Sequence, residues 1–291
     1  MPAQSPTVRR RRLAIELRRL REVVDLTIQE AARRLDISSA KLSRIENAHV
    51  APSQADVLQM LQVYGADQQL QETLLTIARE ARQKGWWQAR YGDLRTPELE
   101  LVGLETEATV LRMYSGLLIP GLLQIPEYTS AILRAAVVDA EQQREEIDRQ
   151  VELRMDRQKL LTQDTSPATW VVIDEAALHR PVGGSEVMRR QLQHLAAMSA
   201  VENLRLQVIP FTAGEHSGMS CAFTIIGFSD PSDPDVVFIE NPLRNLYLEE
   251  PHELRQYSLM FDQICARAMS PAESSVFFAK IARELLVDHI E

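Results

Sequence analysis

The chain has 291 residues, 45% of them hydrophobic and 25% charged. That composition excludes disorder, collagen and continuous coiled coil, and the length points to two domains. No apolar run approaches the roughly 18 residues that span a bilayer. The charged, amphipathic stretch after Arg9–Arg12 also lacks the uninterrupted apolar segment of a secretory signal, so a cytoplasmic protein with no membrane partner is expected. Cys221 and Cys265 stand far apart with no Cys-x-x-Cys spacing, which indicates neither a disulfide framework nor a zinc site.

The net charge of -9 is unevenly distributed. Residues 1–84 carry 14 basic and 10 acidic side chains, a net of +4, whereas residues 85–291 carry 18 and 31, a net of -13. A basic head on an acidic body suggests that the head alone meets a polyanion.

In the head, Leu13, Leu17, Leu20 and Val24 recur at helical spacing. Thr27 with Glu30 forms a capping-box pattern that opens a short second helix through Ala31, Ala32 and Leu35. Asp36-Ile37 makes a tight connection, and Ser38 opens a third helix through Leu42, Ile45 and Glu46. Pro52-Ser53 introduces a fourth, Gly65-Ala66-Asp67 breaks it, and a fifth holds Leu70, Leu74, Leu75 and Ile77. Ala31 is small where two helices approach, Ile37 plugs the turn, and Leu42 and Ile45 turn inward. Ser39, Ala40, Ser43 and Arg44 are left on the outer face. This is the layout of a helix-turn-helix, whose second helix enters the major groove.

The segment from about residue 12 to 77, with its LSRIEN ending, resembles the phage-repressor/Cro type of helix-turn-helix, the XRE family. The resemblance implies that Ser39, Ala40, Ser43 and Arg44 read bases, and that Thr27 and Lys41 lie near the phosphate backbone. The family often has Gln where this chain has Ile28, which removes a polar backbone contact and leaves Gln29 as the substitute. Arg44 is the best reader, since a guanidinium bonds guanine O6 and N7 together, the alternative being a pair with an acid on its own helix or with phosphate; Ala40 can contact only a thymine methyl. Arg9–Arg12, with Arg10 and Arg11 at its centre, reads either as an arm along phosphates or as a solvated tail.

Gly85-Trp86-Trp87 marks a composition shift and the expected interdomain hinge; the two tryptophans, followed by Tyr91 and Gly92, read as a packing latch between the domains or, less readily, as a ligand cage. Helical signals span Leu101–Tyr114, break at Ile119-Pro120-Gly121, resume near Pro126, and continue from Glu141 to Leu161, where Ile147, Val151, Met155 and Leu160 share a side. Strand signals follow at 170–173, 206–209, 222–228, 236–239 and 246–248, with a helix over 185–200. The last two helices cover 251–264 and 271–287, the latter opened by Ser270-Pro271 with Glu273. The predicted architecture is therefore an all-α helix-turn-helix domain over 1–84, followed over 85–291 by an α+β domain with a small, mostly antiparallel sheet.

The runs GLLQIPEY, ELRMDRQKLL, DEAALHRPVGG and FDQICARAMSPAES resemble the uncharacterised domain that follows this helix-turn-helix in actinobacterial regulators. That resemblance implies a regulator, often encoded beside a small partner protein, and supplies no catalytic residue. Asp174-Glu175 and Glu240, with Arg180 and Arg244 near them in sequence, fit structural ion pairs better than an active site. His179, His216 and Cys221 lack zinc spacing, and the serine of Gly214-Glu215-His216-Ser217-Gly218 is fourth rather than third, unlike a hydrolase elbow.

The expected function is a non-enzymatic, sequence-specific transcriptional regulator without cofactor or metal. It would act as a homodimer on a double-stranded operator, nucleoid-associated when bound, with the body sensing a small partner protein or a small-molecule effector. The rival readings are the DNA-binding half of a toxin–antitoxin-like pair and an enzyme that its head brings to DNA.

Overall fold

The computed structural model describes residues 6–287 apart from 95, 97, 140, 232 and 242–244. The chain packs into two compact units. The first comprises the chain through Gly92 together with Val102–Glu107 and Asp230–Pro234; the remainder forms the second. No described helix is long and apolar enough to cross a membrane.

Unit 1 contains α1 (Pro6–Val23), α2 (Ile28–Arg34), α3 (Ser39–Glu46), α4 (Gln54–Val63), α5 (Gln68–Glu80) and α6 (Trp86–Tyr91). Local chemistry starts and stops these helices. Capping boxes of Thr27 with Glu30 and Ser53 with Asp56 open α2 and α4, and the Asp67 carboxylate accepts the Leu70 N–H at 2.8 Å to open α5. Asp25 and Asp36 follow α1 and α2 in the left-handed region (φ 51° and 53°), which Asp tolerates better than branched residues. The inward positions Leu13, Leu17, Leu42, Ile45, Val57, Leu61 and Leu74 share one dry core. Trp87 is buried while Trp86 is exposed. A Cβ on Gly85 would stand 2.3 Å from the Trp87 ring, so the tryptophan folds back over a position that only glycine can occupy.

The helix α7 (Glu98–Glu105) is divided between the units after Leu101. Unit 2 continues with β1 (Val110–Ser115), α8 (Pro126–Ala136), α9 (Arg144–Gln158), β2 (Ala168–Asp174), α10 (Glu175–His179), α11 (Ser185–Met198) and β3 (Leu204–Ile209). It ends with β4 (Phe223–Gly227), β5 (Val236–Ile239), β6 (Leu246–Leu248), α12 (Pro251–Arg267) and α13 (Pro271–Val287).

The six strands form one sheet in the order β3-β2-β1-β4-β5-β6. Parallel pairs place Met113 opposite Val171 and Val171 opposite Leu206; antiparallel pairs place Arg112 opposite Ile225, Ile225 opposite Val237 and Phe238 opposite Tyr247.

This overturns the small, mostly antiparallel sheet expected from the sequence. The sheet is mixed, and its parallel half is built from two βαβ crossovers. Two features account for the difference. The apolar residues of 101–114 share one pattern, but α7 stops at Glu105 and the rest is β1, next to the sheet's centre. The strands expected over 170–173 and 206–209 pair in parallel, with the helix between them as the crossover.

On one face of the sheet, Tyr114, Val172, Ile209, Phe223, Ile225 and Val237 pack under Phe261 and Ile264 of α12. On the other, Leu111, Met113, Val171, Ile173, Leu206 and Val208 are also buried. The open edge at β3 is closed by the start of α13. The Val208 N–H donates to Ser274 Oγ at 2.9 Å, and the Met269 N–H donates to the Val208 carbonyl at 2.8 Å. The Ser270–Glu273 capping box opens α13 at that point.

Two carboxylates, a buried one in unit 2 and a half-buried one in unit 1, shift in opposite directions. In unit 2, burial alone would raise Glu98, but Arg154 and Arg157 of α9 outweigh it and hold the carboxyl below its ordinary value. Arg154 reaches both Glu98 oxygens at 3.0 Å, and Arg157 also donates to Glu98. The long helix predicted over 141–161 thus turns two of its charges inward.

In unit 1, Arg9 is buried within 3.7 Å of Glu80 and 3.6 Å of Asp233, and Arg12 pairs with Asp230 at 2.9 Å. Glu107 belongs to the same electrostatic neighbourhood, but its Oε1 is buried without a hydrogen-bond partner. Burial pushes it up to about 7, against the pull of Arg9 and with a further push from Asp233 and Glu80.

The linkage signs follow. The Glu98 contribution is complete above its unfolded value and is lost as the pH falls through its lower folded value. The Glu107 contribution is present below the ordinary value of 4.5 and is lost as the pH rises through about 7. Glu107→Gln should therefore leave the urea-unfolding free energy nearly unchanged at about pH 4 and raise it relative to wild type at about pH 8. Equal differences at the two pH values would show that folding does not raise the Glu107 carboxyl.

Candidate nucleic-acid interface

The helix-turn-helix of unit 1 is built from α2 and α3. Thr27 Oγ1 accepts the Glu30 N–H at 3.2 Å while Glu30 Oε2 accepts the Thr27 N–H at 3.0 Å. Leu35 and Ile37 donate their N–H groups to the carbonyls of Ala31 and Ala32, each at 3.0 Å. Ile37 is half-buried against the core, and Ser38 Oγ accepts the Lys41 N–H at 3.1 Å to start α3. With Leu42 and Ile45 inside, Ser39, Ala40, Ser43 and Arg44 occupy the opposite face; Ala40 and Arg44 are exposed, Ser39 and Ser43 half-exposed.

A buried ion pair sets the position of α3. Arg21, near the end of α1, donates from Nε to Glu46 Oε1 at 2.8 Å and from Nη2 to Glu46 Oε2 at 2.9 Å, and from Nη1 to the Leu26 carbonyl at 2.7 Å. Both side chains are removed from water, at 8% and 3% exposure. The hydrogen bond with Glu46 raises the Arg21 guanidinium further above its ordinary value, against the opposing effect of burial. Burial also pushes the nearby Tyr64 phenol up, and the Glu46 charge adds to that.

The remaining sequence-predicted residues divide into two groups. Thr27, Gln29 and Lys41 are exposed on or beside α2 and α3. Lys41 Nζ is bound by Asp56 Oδ1 at 2.7 Å, a partner from α4 that the sequence reading missed. That pair and the hydrogen bonds of Ser53 hold the Asp56 carboxyl below its ordinary value despite its burial.

Arg10 and Arg11 are half-buried within α1, so Arg9–Arg12 is neither an extended arm nor a solvated tail. They lie about 16 Å along the helix from Arg21 and do not join the α3 cluster. Trp86 and Trp87 meet edge to face at 6.0 Å, with Trp87 packed inside unit 1. Arg21, Asn47 and Asp56 are the interface residues that sequence reasoning missed. Only Asn47, the residue that caps α3 four positions after Ser43, has a spacing that would have revealed it.

In unit 2, the carboxylates singled out from the sequence hold loops to the sheet. Asp174 Oδ1 accepts the Ala176 N–H at 2.8 Å, and Oδ2 meets His216 Nε2 at 3.2 Å. Because His216 Nδ1 accepts the Gly218 N–H at 3.2 Å, the neutral ring carries its proton on Nε2 and donates it to Asp174. Burial, with the Asp174 charge and hydrogen bond added, pushes the Tyr114 phenol up. A Cβ on Gly218 would lie 2.6 Å from the Tyr114 ring, so the loop rests directly on the tyrosine. Glu175 Oε2 accepts the Phe211 N–H at 2.7 Å, and its Oε1 meets His179 at 3.2 Å. Arg180 is exposed, and Arg244 lies outside the described residues. Among the described residues no cluster suited to a metal ion occurs.

Glu46→Ala would leave the Arg21 guanidinium buried without its counter-charge and should cost about 3–5 kcal/mol in urea unfolding. The double variant Arg21→Met, Glu46→Leu, which removes both charges and keeps apolar volume, should recover most of that loss. A cost below about 1 kcal/mol for Glu46→Ala would mean that packing alone holds α3.

A family model described as a helix-turn-helix domain matches residues 12–74, the span of α1 to α5. A second, described as a domain of unknown function (DUF5753), matches residues 99–280. No curated protein and no solved structure gives a match. The DUF5753 match covers well over half the sequence, and the chain belongs to that family, carrying a helix-turn-helix domain at its N-terminal end.

Proposed function

We propose that the protein is a sequence-specific transcriptional regulator that binds a double-stranded operator through α3. The reading is carried by one observation: Ser39, Ala40, Ser43 and Arg44 share the open face of a helix anchored from behind by Arg21 and Glu46. On this reading Arg44 reads a guanine edge, while Lys41, with Thr27 and Gln29 beside it, meets phosphates. Arg10 and Arg11, inside α1, contribute to the field of the head rather than to a minor-groove arm. Asp56 competes with phosphate for Lys41 and so tempers binding to random DNA.

Arg44→Ala should weaken binding to the selected site by about 1–3 kcal/mol and relax preference at one base pair. Lys41→Ala should weaken all sequences alike and lower the slope of log affinity against log salt by about 1. Equal losses for both variants on specific and random DNA, in a titration of the full-length chain, would overturn the assignment of Arg44.

A homodimer on two half-sites is part of the proposal, because a single helix-turn-helix reads too few base pairs for strong specificity. The acidic C-terminal region then supplies dimerisation and senses a small partner protein or a small molecule, acting in the cytoplasm. Trp86 and Trp87 are the proposed hinge, on the short helix that precedes the division of the chain at Gly92. An effector changes operator affinity only if it favours one arrangement of the two heads. Light scattering should show a dimer at micromolar concentration; a monomer both free and on operator DNA would count against this part of the reading.

A further inference from the structure

Asn47 follows α3 immediately and its side chain turns back onto the recognition face. Its Nδ2 donates to the Ser43 carbonyl at 2.7 Å and to Ser43 Oγ at 3.2 Å. The orientation of this amide is fixed by chemistry. A backbone carbonyl only accepts, so the –NH2 end and not the oxygen must face it. Both amide hydrogens are then committed to Ser43, one to its carbonyl and one to its hydroxyl oxygen.

A hydroxyl that accepts a hydrogen bond from one side turns its own hydrogen elsewhere. A helical serine commonly gives that hydrogen to the carbonyl four residues earlier. Among the described residues, the Ser43 hydroxyl donates to no protein acceptor, and it is half-exposed on the face that also carries Ser39, Ala40 and Arg44.

We propose that Asn47 is a positioning residue that sets the polarity of Ser43, making its hydroxyl a donor that reads an acceptor atom on a base edge. The inference rests on the DNA-binding reading above and refines it. In the major groove the acceptors are guanine O6 and N7, adenine N7 and thymine O4, whereas cytosine offers a donor, its N4 amino group. Ser43 thereby discriminates against cytosine at one position without touching the partner strand. Asn47 itself contacts no base.

The test begins by selecting a preferred site from random-sequence DNA with the full-length chain, then measuring all four bases at each position. Ser43→Ala should flatten one position by about 3- to 10-fold, the worth of a single hydrogen bond. Asn47→Ala should flatten that same position, and the double variant should flatten it no further. Asn47→Asp, whose carboxylate takes the Ser43 proton, should shift that position toward cytosine or adenine, the bases that offer a donor.

The inference is overturned if Asn47→Ala leaves the Ser43-dependent position unchanged, or if it weakens every sequence equally, as a merely structural cap would. It is also overturned if Ser43→Ala flattens no position. Should Asn47→Ala fail to fold, the base shift in Asn47→Asp decides the matter, and its absence counts against the inference. A wild-type chain that enriches no sequence at all overturns the DNA-binding reading and takes this one with it.

Discussion

A guanidinium and a carboxylate, both almost wholly removed from water, fix where α3 lies against α1. Taking such ions out of water costs several kcal/mol each, and geometry of this quality is what offsets it. The pair is bidentate, and a third bond from Arg21 closes on the Leu26 carbonyl in the turn that leads to α2. One side chain thus ties together the end of α1, the start of the helix-turn-helix and the far end of α3. Apolar contacts through Leu42 and Ile45 would tolerate small slides of α3 along its axis, because dispersion is non-directional. The ion pair is directional and does not tolerate them. The register of the outer face is therefore set by a contact on the inner face.

The head was legible because its signals are local. Thr27 with Glu30, Ser38 and Pro52-Ser53 each announce a helix at its first turn, Gly65-Ala66-Asp67 ends one, and the apolar stripes between them have the period of a helix. The same locality explains what was missed. Arg21 lies far from Glu46 in sequence, and nothing in either neighbourhood pairs them. Glu98 and the two arginines of α9 are separated more widely still, and nothing local to that charged helix marks which of its arginines turn inward. The parallel half of the sheet was lost for a related reason. Leu101, Val102 and Leu104 precede Leu111 and Met113 closely enough that one apolar period seems to run through both, and a buried strand cannot be told from a buried helix by period alone. The registers that expose β1 as a strand are pairings with Thr169 and Ile226, invisible from its own residues.

The carboxyl ends of the parallel strands are where open α/β sheets usually hold ligands. Here Tyr114 at the end of β1 and Asp174 at the end of β2 are engaged by His216 and covered by the loop at Gly218. The polar groups that converge there satisfy one another. Asp174 and Glu175, adjacent at a strand end and suggestive in sequence, each take a backbone N–H and a histidine. Their chemistry is that of staples, which hold the following helix and loops to the strand end.

Unit 1 is not one stretch of chain. Residues Asp230–Pro234, between β4 and β5, supply the acids that face Arg9 and Arg12 near the chain's beginning. At roughly 5–20 residues per second, synthesis reaches them on the order of ten seconds after Gly92. During that interval Arg12 has neither Asp230 nor Asp233 and Arg9 has Glu80 alone, while the apolar core of the head is already available to collapse. Its last electrostatic contacts are thus among the most non-local in the molecule, closing only when the sheet that carries the 230–234 loop has been made. The boundary between the two families is therefore not the boundary in packing, and the chain cannot complete its head until much of its body has been made.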